Sequence, residues 1–362
     1  MTERGAHKSD MLEGKRVLVT GGTGSLGKAF VKRVLGGRYG RPAKIIIFSR
    51  DEAKQYDMRL GYLNLDAATE EVIYEDSHTL LDFRIGDVRD YQSVASVLRR
   101  ADVVINAAAL KQVPSCEYAP SEAVATNISG AENIVRAIEN LHLPVETVIG
   151  VSTDKACKPI NVMGMTKAIQ ERIFITANLR CPTTRFICVR YGNVLASRGS
   201  VVPLFHSQIR DGGPITITTA DMTRFLLSLN QAVDTILTAY RLGERGETFV
   251  PRVPSSLMTN VAAALINGRD IAIDIVGIRP GEKVHEVLVA EDEVYRTTKR
   301  DGYYVIHSIL PELAGVARFA ETALDQEFSS ACNTMSLEDT RALLEKDGLT
   351  IEAAPDFSKL FG

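Results

Sequence analysis

The chain has no tryptophan, only five cysteines and a nearly balanced charge, formally -3. Each shortage removes a class of protein. Cys116, Cys157, Cys181, Cys188 and Cys332 are too sparse for a disulfide scaffold and too scattered for a zinc site, so a reducing cytoplasm fits and no metal is expected. The small net charge gives no long-range pull toward nucleic acid or an anionic membrane, although a locally basic cleft remains compatible with it. Without tryptophan, any aromatic platform for a sugar falls to tyrosine or phenylalanine. No apolar run is long enough to cross a bilayer, so no membrane insertion is expected; residues 1–13, polar and without the apolar middle of a signal peptide, read as a flexible start. What is present is 362 residues, 45% hydrophobic and 24% charged, enough for a large enzyme core.

The first half alternates short Val- and Ile-rich runs with helix-length segments. The runs at 16–20, 44–48, 102–106, 147–152 and 185–190 are almost unbroken by polar residues, as strands of a parallel sheet buried on both faces must be. A further strand and its exit fit 80–88. Helices are predicted over 25–36, 51–64, 90–100, 118–140 and 162–179, which makes the fold class α/β, a doubly wound Rossmann-type parallel sheet. Beyond Tyr191 the rhythm changes, with helices predicted over 228–242 and 256–266 and strands at 248–252 and 271–277. The expected organisation is a nucleotide-binding domain over 14–193, a smaller substrate-binding lobe over 194–335 from which some segments return to the first domain, and a C-terminal helix and tail over 336–362. Ser336 and Asp339 read as a capping box for that last helix.

Directly after the first strand comes "TGGTGSLGKAF", in which Gly21, Gly24 and Gly27 form GxxGxxG. Such a turn lets backbone approach a pyrophosphate that rests on the N-terminus of the next helix. Gly21, Thr23, Gly24, Ser25, Leu26 and Gly27 are therefore assigned to a dinucleotide. At the end of the second strand, "FSRDEAK" puts Ser49 where an acidic residue would accept ribose hydroxyls, and Arg50 beside it. With Lys54 nearby this favours NADP, while NAD remains possible if Asp51 turns in. Asp87 could accept from an adenine amine or cap the helix beginning near Asp90; Val88, Ala107, Ala108 and Tyr191 complete the expected cofactor contacts.

The segment "STDKACKPINVMGMTK" follows a central strand, where ligands bind in such sheets. Asp154 and Lys155 supply an acid and a base, and Ser152 and Thr153 supply hydroxyls; the same residues would also serve an ordinary strand-exit turn. Together with "NAAALKQVPSCEYAPSEAVATNISG", "RYGNVLASRGSVVPLF", "DMTRF", "FVPRVPS" and "GIRPGEKVHEVL", this segment resembles the extended short-chain dehydrogenase/reductases, and within them the UDP-N-acetylglucosamine 4,6-dehydratases, over residues 14–290. In that superfamily a tyrosine and a lysine four residues later share a helix face, the lysine lowering the phenol pKa for proton exchange. Here the pair is Met163 and Lys167. Methionine cannot carry the proton, leaving an impaired site, a substitute proton carrier or a shifted register.

The resemblance implies that members inverting carbon 5 carry Tyr at this position and the larger retaining members Met. It implies hydride removal from carbon 4, loss of the carbon 5 proton to Lys155, protonation of the leaving hydroxyl by Asp154, and return of hydride to carbon 6. The carbon 4 hydroxyl proton would go to Asp154 directly or through Thr153 or water, and Lys167 would hold the nicotinamide ribose. A UDP-sugar would lie against Lys111, Asn193, Ser200, Val201, Arg224, Arg279 and Glu282, and self-association into a homo-oligomer is implied. His285 reads as structural or nucleotide-proximal. The rivals are a nucleotide-sugar epimerase, alone or combined with dehydration, and an NADP-binding regulator that has lost turnover.

Overall fold

The computed structural model describes residues 10–65, 77–195, 197, 199–314 and 322–354. Its first half follows the apolar runs. β1 (Arg16–Thr20), α1 (Ser25–Leu35), β2 (Lys44–Ser49), α2 (Glu52–Leu65), β3 (Leu81–Ile85), α3 (Tyr91–Leu98), β4 (Val103–Asn106), α4 (Val113–Tyr118), α5 (Gly130–Asn140), β5 (Thr147–Thr153), α6 (Val162–Arg180) and β6 (Arg185–Tyr191) alternate as crossover units. Their strands lie parallel in the order β3-β2-β1-β4-β5-β6. The runs are continuous because alternate residues feed different cores: Ile45 and Ile47 join one cluster, Ile46 and Phe48 the other across the sheet. Burying each such side chain contributes roughly 1.5–3 kcal/mol.

The helix expected over 118–140 is interrupted. Helix α4 begins earlier, at Val113, and ends before Ala119–Pro120, where proline cannot continue the preceding helix; a short turn over Pro120–Ala123 and a wider π-type segment over Val124–Ser129 then lead into α5. The expected start over 1–13 also changes. Residues 1–9 lie outside the described set, but Met11 and Leu12 are buried in the main core, with the Leu12 N–H donating to the Tyr39 carbonyl at 2.8 Å. They belong to the folded body because their side chains are apolar and join the core that also takes in Phe30, Val31 and Tyr39.

The second half divides its elements. β7 (Asn193–Val194), β9 (Thr223–Leu227) and β11 (Ser255–Leu257) make one small sheet; β8 (Ile215–Ile217) with β12 (Ile273–Ile275), and β13 (Val287–Val289) with β16 (Phe328–Ser329), make two more. In contrast β10 (Thr248–Pro251) joins β6 in parallel, and β15 (Tyr303–Ile306) and β14 (Thr297–Arg300) follow antiparallel, so that these strands extend the main sheet to nine. The strand expected over 271–277 is confined to three exposed residues of β12, and 256–257, expected as the start of a helix, belong to β11. Helices α7 (Val201–Arg210), α8 (Leu229–Leu242), α9 (Met258–Ile266) and α10 (Leu337–Lys346) complete the fold, with α7, α9 and α10 packed around a third core. At α10 the Ser336 hydroxyl accepts from the Asp339 N–H, but Asp339 accepts from that hydroxyl rather than from the Ser336 N–H, so only half of the capping box forms. Residues 355–362 lie outside the described set.

Candidate active site

One cleft of about 1620 Å³ runs across the C-terminal ends of the parallel strands and out toward the small sheets. At one end the loop after β1 closes over α1. Gly21 has φ +64°, and a Cβ there would lie 2.9 Å from Ala108 backbone, so glycine alone lets the β1 and β4 exits meet. Helix α1 starts at Gly24 with no side-chain cap, which leaves its positive end to whatever lies in the cleft. Thr23, Ser25, Leu26, Gly27, Val88, Ala107 and Ala108 line the same end.

Arg50 is exposed there, its Nη1 3.7 Å from Asp87 Oδ2, and Lys28, Lys32 and Lys54 line the cleft beside it. Asp51 accepts from both the backbone N–H and the ammonium of Lys54, so its carboxylate is turned along α2. Asp87 accepts from Arg89, and the cap of α3 is Asp90, bonded to the N–H groups of Gln92 and Ser93. The dinucleotide-type cradle therefore comes with the exposed Arg50 guanidinium at the end of β2 and with Asp51 engaged by Lys54.

At the middle of the cleft β5 ends at Thr153 and the chain turns through Asp154–Ala156. Asp154 is completely buried. Its Oδ1 accepts from Thr153 Oγ1 at 2.8 Å and from Lys155 Nζ at 3.1 Å. Its Oδ2 has no hydrogen-bond partner among the described residues. Lys155 Nζ also lies 3.2 Å from Glu286 Oε1. Burial alone would push the Lys155 pKa down, but the carboxylates of Asp154 and Glu286 outweigh it against the opposing charge of Arg224, and the net direction is up. Lys155 therefore rests as an ammonium between two carboxylates.

Helix α6 is positioned against this turn by its first residues. Asn161 caps it, accepting from the Gly164 N–H at 2.7 Å, a contact type worth about 1 kcal/mol. Gly164 lets the helix touch the turn, since a Cβ there would sit 2.2 Å from the Lys155 carbonyl oxygen. Two bonds tie the same region to the 279–283 loop: Asn161 Nδ2 donates to the Gly281 carbonyl at 2.7 Å and Lys283 Nζ to the Cys157 carbonyl at 2.6 Å. Met163 and Lys167 then share one helix face, and both line the cleft. Met163 packs with Cys116 and Ala123. Lys167 donates to the Val151 carbonyl at 2.6 Å and to Gln170 Oε1 at 2.7 Å, and burial, opposed by the charge of Glu171, pushes its pKa down to about 8. Tyr191 also reaches the cleft, but burial pushes its phenol well up, so it does not replace a phenolate.

Lys111, Asn193, Ser200, Val201, Arg224, Arg279 and Glu282 line the outer end. Arg224 is buried and donates to the carbonyls of Thr223, Lys283 and Val284, so it lends charge more than an open fork. Arg279 is exposed. Glu282 accepts from Thr218 at 2.9 Å. His285, outside the cleft lining, bonds Thr223 Oγ1 through Nδ1 at 2.8 Å. All the residues assigned from sequence to a site thus line one cleft. Glu286 was missed: in "KVHEVL" it reads as a strand residue, and only the fold brings it to Lys155. Ser152 Oγ, Asp154 Oδ2, Asn193 Oδ1, Ser200 Oγ and Glu286 Oε2 are buried without hydrogen-bond partners among the described residues, and all five residues line this cleft. Buried polar atoms are normally satisfied, so their convergence here marks a place built to receive a polar molecule. Among the described residues there is no group of three or more His, Cys, Asp or Glu that could hold a metal, and no helix long and apolar enough to cross a membrane.

The family model described as "Polysaccharide biosynthesis protein" matches residues 17–308. A UDP-glucose 4-epimerase of Rickettsia typhi is 46% identical over 301 residues, covering 82% of this chain and 84% of the relative. An inverting UDP-N-acetylglucosamine 4,6-dehydratase of Campylobacter jejuni is 40% identical over 321 residues, covering 88% and 90%. Among solved structures, Pen from Bacillus thuringiensis superposes with a TM-score of 0.81 at 33% identity, covering 93% of this chain and 99% of Pen. The dTDP-glucose 4,6-dehydratase DesIV from Streptomyces venezuelae, solved with NAD bound, shares the fold with a TM-score of 0.62 at 21% identity, covering 74% and 86%. Matched over most of its length by that family model, with the glycine cradle and the Asp154–Lys155 turn facing one cleft, the chain belongs to the polysaccharide biosynthesis protein family, in the short-chain dehydrogenase/reductase class of nucleotide-sugar dehydratases and epimerases.

Proposed function

We propose that the protein is an NADP-dependent UDP-N-acetylglucosamine 4,6-dehydratase that retains the configuration at carbon 5. The observation that carries this reading is the Asp154–Lys155 couple, an acid and a base 3.1 Å apart in the cleft, beside Lys167 and with the thioether of Met163 in place of a phenol. The glycine cradle and uncapped α1 fit a dinucleotide, which when bound supplies a reversible hydride acceptor. Lys167 orients it through the ribose, and Arg50 with Lys54 favours a 2'-phosphate.

The proton balance closes on two residues. Asp154 takes the carbon 4 hydroxyl proton, directly or through Thr153, as carbon 4 loses hydride and becomes a ketone. The neutral Lys155 amine then takes the proton from carbon 5, which the ketone has acidified. Asp154 delivers its proton to the carbon 6 hydroxyl, which leaves as water. Hydride returns at carbon 6 and Lys155 returns its proton to carbon 5 on the side it came from. Asp154 ends as the carboxylate it began as.

The diphosphate is assigned to Arg279 with the charge of Arg224 behind it, Lys111 nearby, and the nucleoside and sugar to Asn193, Ser200, Val201 and Glu282. A second copy of the chain is assigned to the exposed apolar strip of Tyr118, Val124, Ile160, Met165 and Ile169 on and around α6; Ile169→Asp should yield a smaller species in light scattering. Incubation with UDP-N-acetylglucosamine and NADP+ tests the activity: a product lighter by one water with the carbon 5 configuration unchanged by proton NMR is expected. The second reading, 4-epimerisation, is favoured by the Rickettsia relative and predicts an isomer of unchanged mass.

A further inference from the structure

We propose that Glu286 is the positioning residue that holds the displaced proton of Lys155 while Lys155 acts as a base. The inference rests on the dehydratase reading and addresses a difficulty within it. Lys155 rests as an ammonium, whereas a base needs a neutral amine. Its two carboxylate neighbours are not equivalent at the moment this matters. Once carbon 4 has been oxidised, Asp154 already carries the hydroxyl proton that it must deliver to carbon 6, so it cannot also accept from Lys155. Glu286 Oε1, 3.2 Å from Lys155 Nζ, is the remaining carboxylate oxygen in contact.

Glu286 is fixed for that task. Its N–H donates to Ser330 Oγ at 2.9 Å and its carbonyl accepts from the Ser330 N–H at 2.8 Å, so β16 and the turn after it clamp the residue at the start of β13. The side chain is buried, lines the cleft, and has no hydrogen-bond partner at Oε2 among the described residues. Buried carboxylate oxygens are normally hydrogen-bonded, which singles this one out.

The step balances as a transfer within a pair. The Lys155 N–H bond breaks and the Glu286 O–H bond forms, giving a neutral amine and a neutral acid; the amine then takes the carbon 5 proton. After that proton has returned to carbon 5, Glu286 gives its own back. No proton goes to solvent. The charged groups facing the pair are Asp154 on the same turn, Arg224 from β9, whose charge opposes protonation of Lys155, and Lys283, 3.9 Å from Glu286 Oε2. His285 turns its ring to Thr223, and on α6 Lys167 is held by Val151 and Gln170.

Because donor and acceptor share one proton, turnover by the native protein should be level with pH around neutrality. In Glu286→Gln, an isosteric change, Lys155 must lose its proton to solvent. The expected result is a kcat for water loss about 100-fold lower at neutral pH, rising about tenfold per pH unit, with NADP+ binding unchanged. Glu286→Asp, which keeps an acceptor, should be slower than native but level with pH. A loss equal at every pH in Glu286→Gln, or a native-like rate, would overturn the inference. If Glu286→Gln fails to bind cofactor, the Asp variant decides, and a rate climbing with pH in it overturns the proposal. Native protein that yields no dehydrated product brings down the dehydratase reading, and the inference with it, which is distinct from native dehydration with a pH-insensitive Glu286→Gln.

Discussion

Two buried charge clusters sit side by side at the C-terminal ends of neighbouring strands and are built on opposite principles. At the end of β6, Arg190 donates to both oxygens of Glu171 and both of Glu293, and to the Leu288 carbonyl. Every nitrogen of that guanidinium and every oxygen of those carboxylates is matched. At the end of β5, the register partner of β6, Lys155 lies between Asp154 and Glu286, and one oxygen of each carboxylate has no hydrogen-bond partner among the described residues, Lys283 standing 3.9 Å from that of Glu286. The charges are alike in the two, one cation between two buried carboxylates. What separates structure from chemistry is completeness: the closed cluster fixes α6 and the segment around Glu293 to β6, and the open one keeps lone pairs aimed at the cleft.

The comparison can be broken most sharply at the open cluster. Asp154→Asn should lower turnover of UDP-N-acetylglucosamine by about 10³-fold while NADP+ binding, measured by titration calorimetry, stays native. Lys155→Ala should cost a similar factor. At the closed cluster the effect should fall on stability. Arg190→Met strips the buried Glu171 of its Arg190 ion pair and leaves Glu293 only Arg296, and should destabilise by roughly 3–5 kcal/mol, read by urea denaturation.

That cluster also sets a pH window. Burial would raise the Glu293 pKa, but Arg190, joined by Arg296, overcomes it and brings it down to about 2. A depressed carboxylate pKa gives stability that is fully present above its unfolded value of about 4.3 and is lost as pH falls toward the folded value. Acid unfolding should therefore begin below pH about 4 in the native protein, and the Arg190→Met variant should lose the share of this dependence that Arg190 supplies. A smaller effect is expected at the cofactor end, where Arg50→Ala should weaken NADP+ about tenfold and leave NAD+ nearly unchanged. Smallest is Met163→Ala, with kcat falling by less than about tenfold; a loss exceeding that of Lys155→Ala would give the thioether a role of its own.

Much of this arrangement was legible in the chain. Val- and Ile-rich runs gave the parallel strands because doubly buried strands have no polar face to interrupt them, and the glycine spacing after β1 marked the cradle because close backbone approach excludes other residues. The interruption at Pro120 was harder to place, since the apolar spacing on either side suits one long helix. Glu286, Glu171 and Glu293 were not singled out, because a carboxylate in an amphipathic segment looks solvated until the fold supplies its cation. Arg190 was hidden similarly at the end of an apolar run. Pairings between distant segments are tertiary facts, and these two clusters consist of little else.

The Asn161–Gly281 and Lys283–Cys157 bonds have a mechanical consequence. The loop assigned to gripping the nucleotide end of the substrate is clipped to the first turn of the helix that carries Met163 and Lys167, so the grip and the reacting centre are parts of one lever. Free N-acetylglucosamine, which lacks the handle, should then suffer in kcat as well as in affinity.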